Sequence, residues 1–159
     1  MANVRSEDLE LYISECLSEA VDEAASEALD YLRNFIKQNW YNTYDPKMYE
    51  RTRDFLESAS KTQTTMNNKN EVVCMLHFDT SKIYSRYYGP WHLNQHASFY
   101  GKDVSESIPR WIERGNPNII GRSGKPLGSM EATIGMLERD FHKMVAKKLR
   151  KHGLKIKVN

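Results

Sequence analysis

Cysteine is scarce in this chain: only Cys16 and Cys74 occur in 159 residues, far apart. A disulfide-stapled secreted domain needs a dense, even set of cysteines, and a structural zinc site needs paired ligands at close spacing. Both thiols stand among apolar residues and are expected to be reduced, buried small hydrophobes. Long apolar runs are also missing, and nothing approaches the roughly 18 residues that a membrane-spanning helix requires. Met1-Ala2-Asn3-Val4-Arg5 leads straight into Glu7 and Asp8, without the basic stretch and apolar core of a signal peptide. A soluble protein residing in the cytoplasm is the expectation, with no membrane partner. Internal repeats and low-complexity segments are lacking as well.

Familiar catalytic patterns are missing too. In Gly121-Arg122-Ser123-Gly124-Lys125-Pro126 a proline stands where a phosphate-binding loop carries the Ser or Thr that meets magnesium. No Gly-x-Ser-x-Gly turn presents a nucleophile. His92 and His96 are four apart, but Leu93 occupies the position of a zinc protease's glutamate and Gly89-Pro90 interrupts the preceding chain. His77 is the imidazole that could stand as a third ligand to such a pair. The reading is two polar loop residues, no metal, no cofactor and no enzyme.

What the chain does have is segregated charge under a net charge of +2. Residues 1–30 carry Glu7, Asp8, Glu10, Glu15, Glu19, Asp22, Glu23, Glu27 and Asp30 against Arg5 alone. Residues 139–157 carry Arg139, Lys143, Lys147, Lys148, Arg150, Lys151, Lys155 and Lys157 against Asp140 alone. Such ends either meet each other, within or between copies, or reach a polyanion.

Periodicity orders the rest. Leu9, Ile13, Cys16, Ala20, Ala24, Ala28, Leu32 and Phe35 or Ile36 recur every three to four residues, which predicts one helix from residue 6 to about 39, with Ser6 as its N-cap. The pattern breaks around Trp40, and 42–46 read as a loop before a short helical turn at 48–55. Thr62, Thr64 and Thr65, the turn Asn67-Asn68-Lys69-Asn70 and the apolar run 72–78 predict a β-hairpin, its inner strand carrying Val72 to Leu76. Residues 81–100 hold Tyr84, Tyr87, Tyr88, Trp91, Phe99 and Tyr100 and read as an aromatic-rich loop or insertion. A short helix over 104–114 ends at Gly115, and residues 116–128 form a loop rich in Gly and Pro. A last helix over 129–151 places Met130, Ile134, Leu137, Phe141, Met144, Val145 and Leu149 on one face, with Leu137, Phe141 and Val145 expected to be buried. Leu154, Ile156 and Val158 alternate with lysines and suggest a closing strand. The fold class is therefore α+β: a long N-terminal helix, a small antiparallel sheet with a hairpin, a short helix and a long C-terminal helix. At this length one core suffices, so 1–159 is expected to be a single domain.

Three segments resemble the tail-completion or head-to-tail joining family of tailed bacteriophages. Arg51-Thr52-Arg53-Asp54-Phe55-Leu56-Glu57-Ser58 is similar to that family's Arg-Thr-Gly-x-Leu-x-x-Ser, with Arg53 for the glycine and Phe55 for the leucine. Trp111-Ile112-Glu113-Arg114-Gly115-Asn116 resembles its apolar-Glu-x-Gly-Thr helix end, with Asn116 for the threonine. Pro126-Leu127-Gly128-Ser129-Met130 resembles its Pro-x-x-aromatic-Met lead-in to the last helix, with Ser129 for the aromatic. The resemblance implies a virion structural protein of the neck, a tail-completion or tail-terminator component that assembles in the host cytoplasm. It also implies other neck and tail proteins as partners and a homo-oligomeric ring. Residues 81–100 have no counterpart in the pattern.

The expected partner interface comprises Tyr84, Tyr87, Tyr88 and Trp91, the residue types enriched in interface hot spots, with Lys147, Lys148, Arg150 and Lys151 of the basic segment. The alternative function is a nucleic-acid-binding accessory protein using that same basic segment. Direct nucleic-acid contact is not the favoured reading. Lys143, Lys147 and Lys151 lie opposite the apolar stripe, where any amphipathic helix puts its charge, and no nucleic-acid motif accompanies them.

Overall fold

The computed structural model describes residues 6–43, 53–83, 106–115 and 125–156. The elements are α1 (Ser6–Ile36), continued by a π-helical turn (Lys37–Tyr41), then α2 (Asp54–Ser58), β1 (Ala59–Lys61), β2 (Thr65–Met66), β3 (Val72–Val73), β4 (Leu76–Phe78), a 3-10 turn (Thr80–Lys82), α3 (Ile108–Arg114) and α4 (Ser129–Lys151). This is the expected α+β layout. The residues group into two compact units, one of 1–30, 61–76 and 134–159, the other of 31–60 and 77–133.

α1 follows its apolar period along most of its length. Cys16, Ala20, Ala24, Ala28, Leu32 and Ile36 are all buried, and the run of alanines lets neighbouring chain approach the helix closely. Ser6 is already helical and so is not a cap. At Lys37 the helix widens: Asn42 N–H donates to Lys37 O at 2.9 Å, a bond five residues long. The wider turn keeps Trp40 buried after Ile36, which is why the simple period fails there.

In the first unit, Cys16, Ala20 and Leu149 form a small cluster against which Leu17, Val145, Leu154 and Ile156 pack. Leu154 and Ile156 turn inward as their alternation suggested, but residues 152–156 form a turn and an irregular segment, not a strand. Residues 157–159 lie outside the described residues.

The hairpin is present but broken. β2 and β3 pair antiparallel, Thr65 with Val73 and Met66 with Val72, and β1 pairs with β4. Between them Thr62 N–H donates to Met75 O at 2.8 Å, while Met75 N–H turns to the Thr62 hydroxyl at 3.0 Å. A side chain in place of a backbone carbonyl interrupts the ladder there. At the tip, Asn67 Oδ1 accepts from the N–H groups of Lys69 and Glu71 at 2.9 and 3.0 Å, and Asn70 takes φ +59°. Asparagine tolerates that left-handed region better than most residues. The strand Val72 to Leu76 is not buried throughout. Val72, Cys74 and Leu76 turn inward while Val73 and Met75 are exposed, as a period of two demands. Cys74 is accordingly half-buried and Cys16 buried.

In the second unit, Phe55 stacks on Phe78 with ring centroids 4.9 Å apart and meets Trp40 edge-on at 6.5 Å. The Arg33 guanidinium donates twice to Ala59 O, at 3.2 and 2.8 Å. Asp79 N–H donates to Ser58 O at 2.7 Å. The helical turn expected at 48–55 is found at 54–58, with 48–52 outside the described residues.

α4 has the expected bounds, but its apolar stripe is only partly covered. Leu149 is buried and Val145 half-buried, whereas Ile134 is exposed and Phe141 is 38% exposed. Buried Thr133 and Ala146 occupy the covered face instead. The burial expected of Phe141 is therefore corrected: its ring borders a cleft.

Candidate interaction surfaces

The two oppositely charged helices meet within one chain. Lys148, on the last turn of α4, is 7% exposed, and its ammonium reaches Glu23 Oε2 at 3.0 Å and Glu27 Oε1 at 2.5 Å on α1. The two carboxylates are four residues apart, one helical turn, so a single cation bridges them. The Glu27 and Glu23 carboxylates accept from Lys148 and push its ammonium above its ordinary value. Glu23 is held below its ordinary value of 4.5, chiefly by the hydrogen bond from Lys148. One turn on, His152 Nδ1 lies 3.4 Å from Glu19 Oε2, and the Tyr12 hydroxyl donates to His152 O at 2.9 Å. Asp22 is anchored to the hairpin by Lys61 and, at 2.6 Å, by the Thr64 hydroxyl, and both bonds lower its carboxyl below 3.8.

These shifts set a pH response. A carboxylate depressed by folding adds stability above its ordinary value and loses it as pH falls through the lower folded value, while a raised lysine keeps its contribution until pH climbs past its own higher value. The melting temperature of the wild type is therefore expected to hold between these limits and to fall from about pH 5 to about pH 3. Lys148→Met leaves Glu23 and Glu27 repelling each other, so it melts lower at neutral pH. It also shows a shallower acid limb, and the gap narrows once the carboxylates are protonated. Adding Glu23→Gln and Glu27→Gln to Lys148→Met is expected to recover much of the loss. Melting curves against pH for the three proteins check this.

Beside the ion pairs, the first unit holds an apolar cleft of about 180 Å³ between α1, the hairpin and α4. Val21, Ala25 and Ala28 form one wall, Val72, Val73, Cys74 and Leu76 another, and Leu137 and Phe141 a third.

The second unit holds a different construction. Gly128, at φ +66°, precedes α4 and has no side chain with which to cap it. Glu113, on the last turn of α3, supplies one: Oε2 accepts from Met130 N–H at 2.8 Å and Oε1 from the buried Ser129 hydroxyl. Leu127 N–H to Ile112 O at 2.9 Å and Gly128 N–H to Glu113 O at 3.2 Å fasten the chain alongside. Gly115, at φ +79°, ends α3 directly after. A carboxylate at a helix N-terminus both accepts the free N–H groups and meets the positive end of the dipole.

Of the residues singled out from sequence, Tyr84, Tyr87, Tyr88 and Trp91 lie outside the described residues, as do His92 and His96. Lys147, Arg150 and Lys151 are exposed, and Arg150 also donates to Ile156 O at 3.1 Å. Lys148 faces inward. His77 Nδ1 is buried without a hydrogen-bond partner. Among the described residues no group of three or more His, Cys, Asp or Glu is placed to hold a metal ion, and no helix is long and apolar enough to cross a membrane. The capping role of Glu113 is not evident along the chain, since its partners lie 16 and 17 residues away. The local signal is the glycine where α4 needs a capping side chain.

Residues 5–158 match the family model YomN. No curated protein and no solved structure matches the chain.

Proposed function

The chain belongs to the YomN family, which takes its name from a Bacillus prophage, and from that premise we propose a structural role in the neck of a tailed phage virion, joining head to tail as a tail-completion or tail-terminator component. The observation that carries the reading is the capping of α4 by Glu113. Two of the three segments that resemble the head-to-tail joining family come together there, through their described residues 111–115 and 126–130. Their polar groups act on each other, in a role that is architectural.

On this reading the protein is not an enzyme and works in several copies around the tail axis. Tyr84, Tyr87, Tyr88 and Trp91 supply contact area to a neighbouring neck or tail protein, as large aromatics do at interfaces. The pairing of Lys148 with Glu23 and Glu27 counts against a nucleic-acid role, since it sets two carboxylates beside the basic face. The decisive experiment is a phage carrying Tyr87→Ala, Tyr88→Ala and Trp91→Ala together, with the variant shown to be folded. Separate heads and tails, with the variant left in solution, are expected. Complete tailed particles with the variant at full occupancy, or wild-type virions without the protein, would overturn the reading.

A further inference from the structure

The first two turns of α1 carry an apolar surface that the other described residues leave uncovered. Leu9, Leu11, Tyr12 and Ile13 are 51%, 62%, 48% and 43% exposed, and every residue from 6 to 13 is exposed. Leu9 and Ile13 continue the same stripe that buries Cys16 and Ala20 one and two turns later. A terminal stretch of helix gains little from its own hydrogen bonds, and most helix stability comes from packing an apolar face. Four large apolar residues within five positions are more than the scattered exposure normal for a surface.

The charges around this surface select what covers it. Glu7, Asp8, Glu10 and Glu15 flank it, and residues 6–30 contain no base. Two such helix ends facing each other would set like charges together, which costs several kcal/mol. An opposite surface is exposed on the same chain: Lys147, Arg150 and Lys151, spaced three and four apart, share one face of α4, and Lys148 is turned inward to its glutamates. The long stems of Lys and Arg cover apolar surface while their heads reach outward to carboxylates. We infer that the first two turns of α1 are the docking site for a second copy of this chain, whose α4 lays Lys147, Arg150 and Lys151 across Leu9 and Ile13 and pairs them with Glu7, Glu10 and Glu15. This names one self-contact for the multi-copy assembly proposed above, and it rests on that reading only for its place in the virion.

The test is sedimentation equilibrium and native mass spectrometry on the full chain. The 18.5 kDa protein associates into dimers or larger species at about 100 µM, and added salt weakens the association. Leu9→Asp with Ile13→Asp yields a monomer of unchanged helical content. Glu7→Lys, Glu10→Lys and Glu15→Lys together yield a monomer, as do Lys147→Glu and Lys151→Glu together, and mixing these two charge variants restores association. A wild-type monomer at that concentration overturns the inference. So does association that survives the folded Leu9→Asp, Ile13→Asp variant, which depends on no charge change in α4. Association with absence from virions leaves the contact standing and removes the neck role. A monomer that is nonetheless found in virions does the reverse.

Discussion

Leu32→Ala lowers the stability of the protein by about 3 to 5 kcal/mol, while Leu9→Ala, on the same stripe of the same helix, changes it by less than about 0.5 kcal/mol in the isolated chain. Leu32 is fully buried, so truncation loses the transfer free energy of its side chain and leaves a cavity that close-packed surroundings fill only in part. Leu9 is half in water already and leaves no cavity. Domains of this kind are stable by about 5 to 15 kcal/mol in total, so the Leu32 loss removes at least about a fifth of the margin and is expected to appear as poor soluble yield. Urea denaturation followed by far-ultraviolet circular dichroism measures both variants. Equal midpoints would mean that the burial of α1 is not as described.

Glu113→Ala is expected to cost about 2 to 3 kcal/mol, well above an ordinary surface glutamate, and to fray the start of α4. It removes the acceptor of the Met130 N–H bond and of the Ser129 hydroxyl bond, and Ser129 is buried, so its hydroxyl loses a partner where water is scarce. Gly128 offers no side chain in compensation. Glu113→Gln separates hydrogen bonding from charge. The amide oxygen still accepts from Met130 N–H, the amide nitrogen donates to the Ser129 oxygen so that this bond persists with its direction reversed, and the interaction of the charge with the helix dipole is lost, about 0.3 to 1 kcal/mol. Thermal melts of the two variants, with hydrogen exchange at residues 129–133, check the order. If alanine and glutamine cost the same, the capping bonds contribute little.

The charge segregation shows how far the amino-acid order alone could be read. It left open whether the two ends meet, within or between copies, or reach a polyanion, and within one chain they meet, through Lys148 with Glu23 and Glu27. The period already sets Lys147 and Lys151 opposite the apolar stripe and Lys148 toward it, but which carboxylates of α1 Lys148 would meet was beyond it, because that depends on what lies opposite. The same limit explains Phe141. Its place in the apolar period of α4 is local information, and its exposure depends on how far the hairpin extends over that face.

The sequence by itself determined the helical bounds of α4, the long run of α1, the Asn-rich turn of the hairpin and the break near Trp40. Each of these follows from steric rules that act within a few residues: a period near 3.6, the left-handed tolerance of asparagine, the preference of glycine for positive φ. Only the tertiary structure decided that the apolar stripe of α1 is covered from Cys16 onward and bare at Leu9 and Ile13. It also decided which carboxylates meet Lys148, and that Glu113 caps a helix 16 residues further along the chain. Burial, ion pairing and capping across elements depend on which surfaces are brought opposite each other, and that is a property of the packed chain.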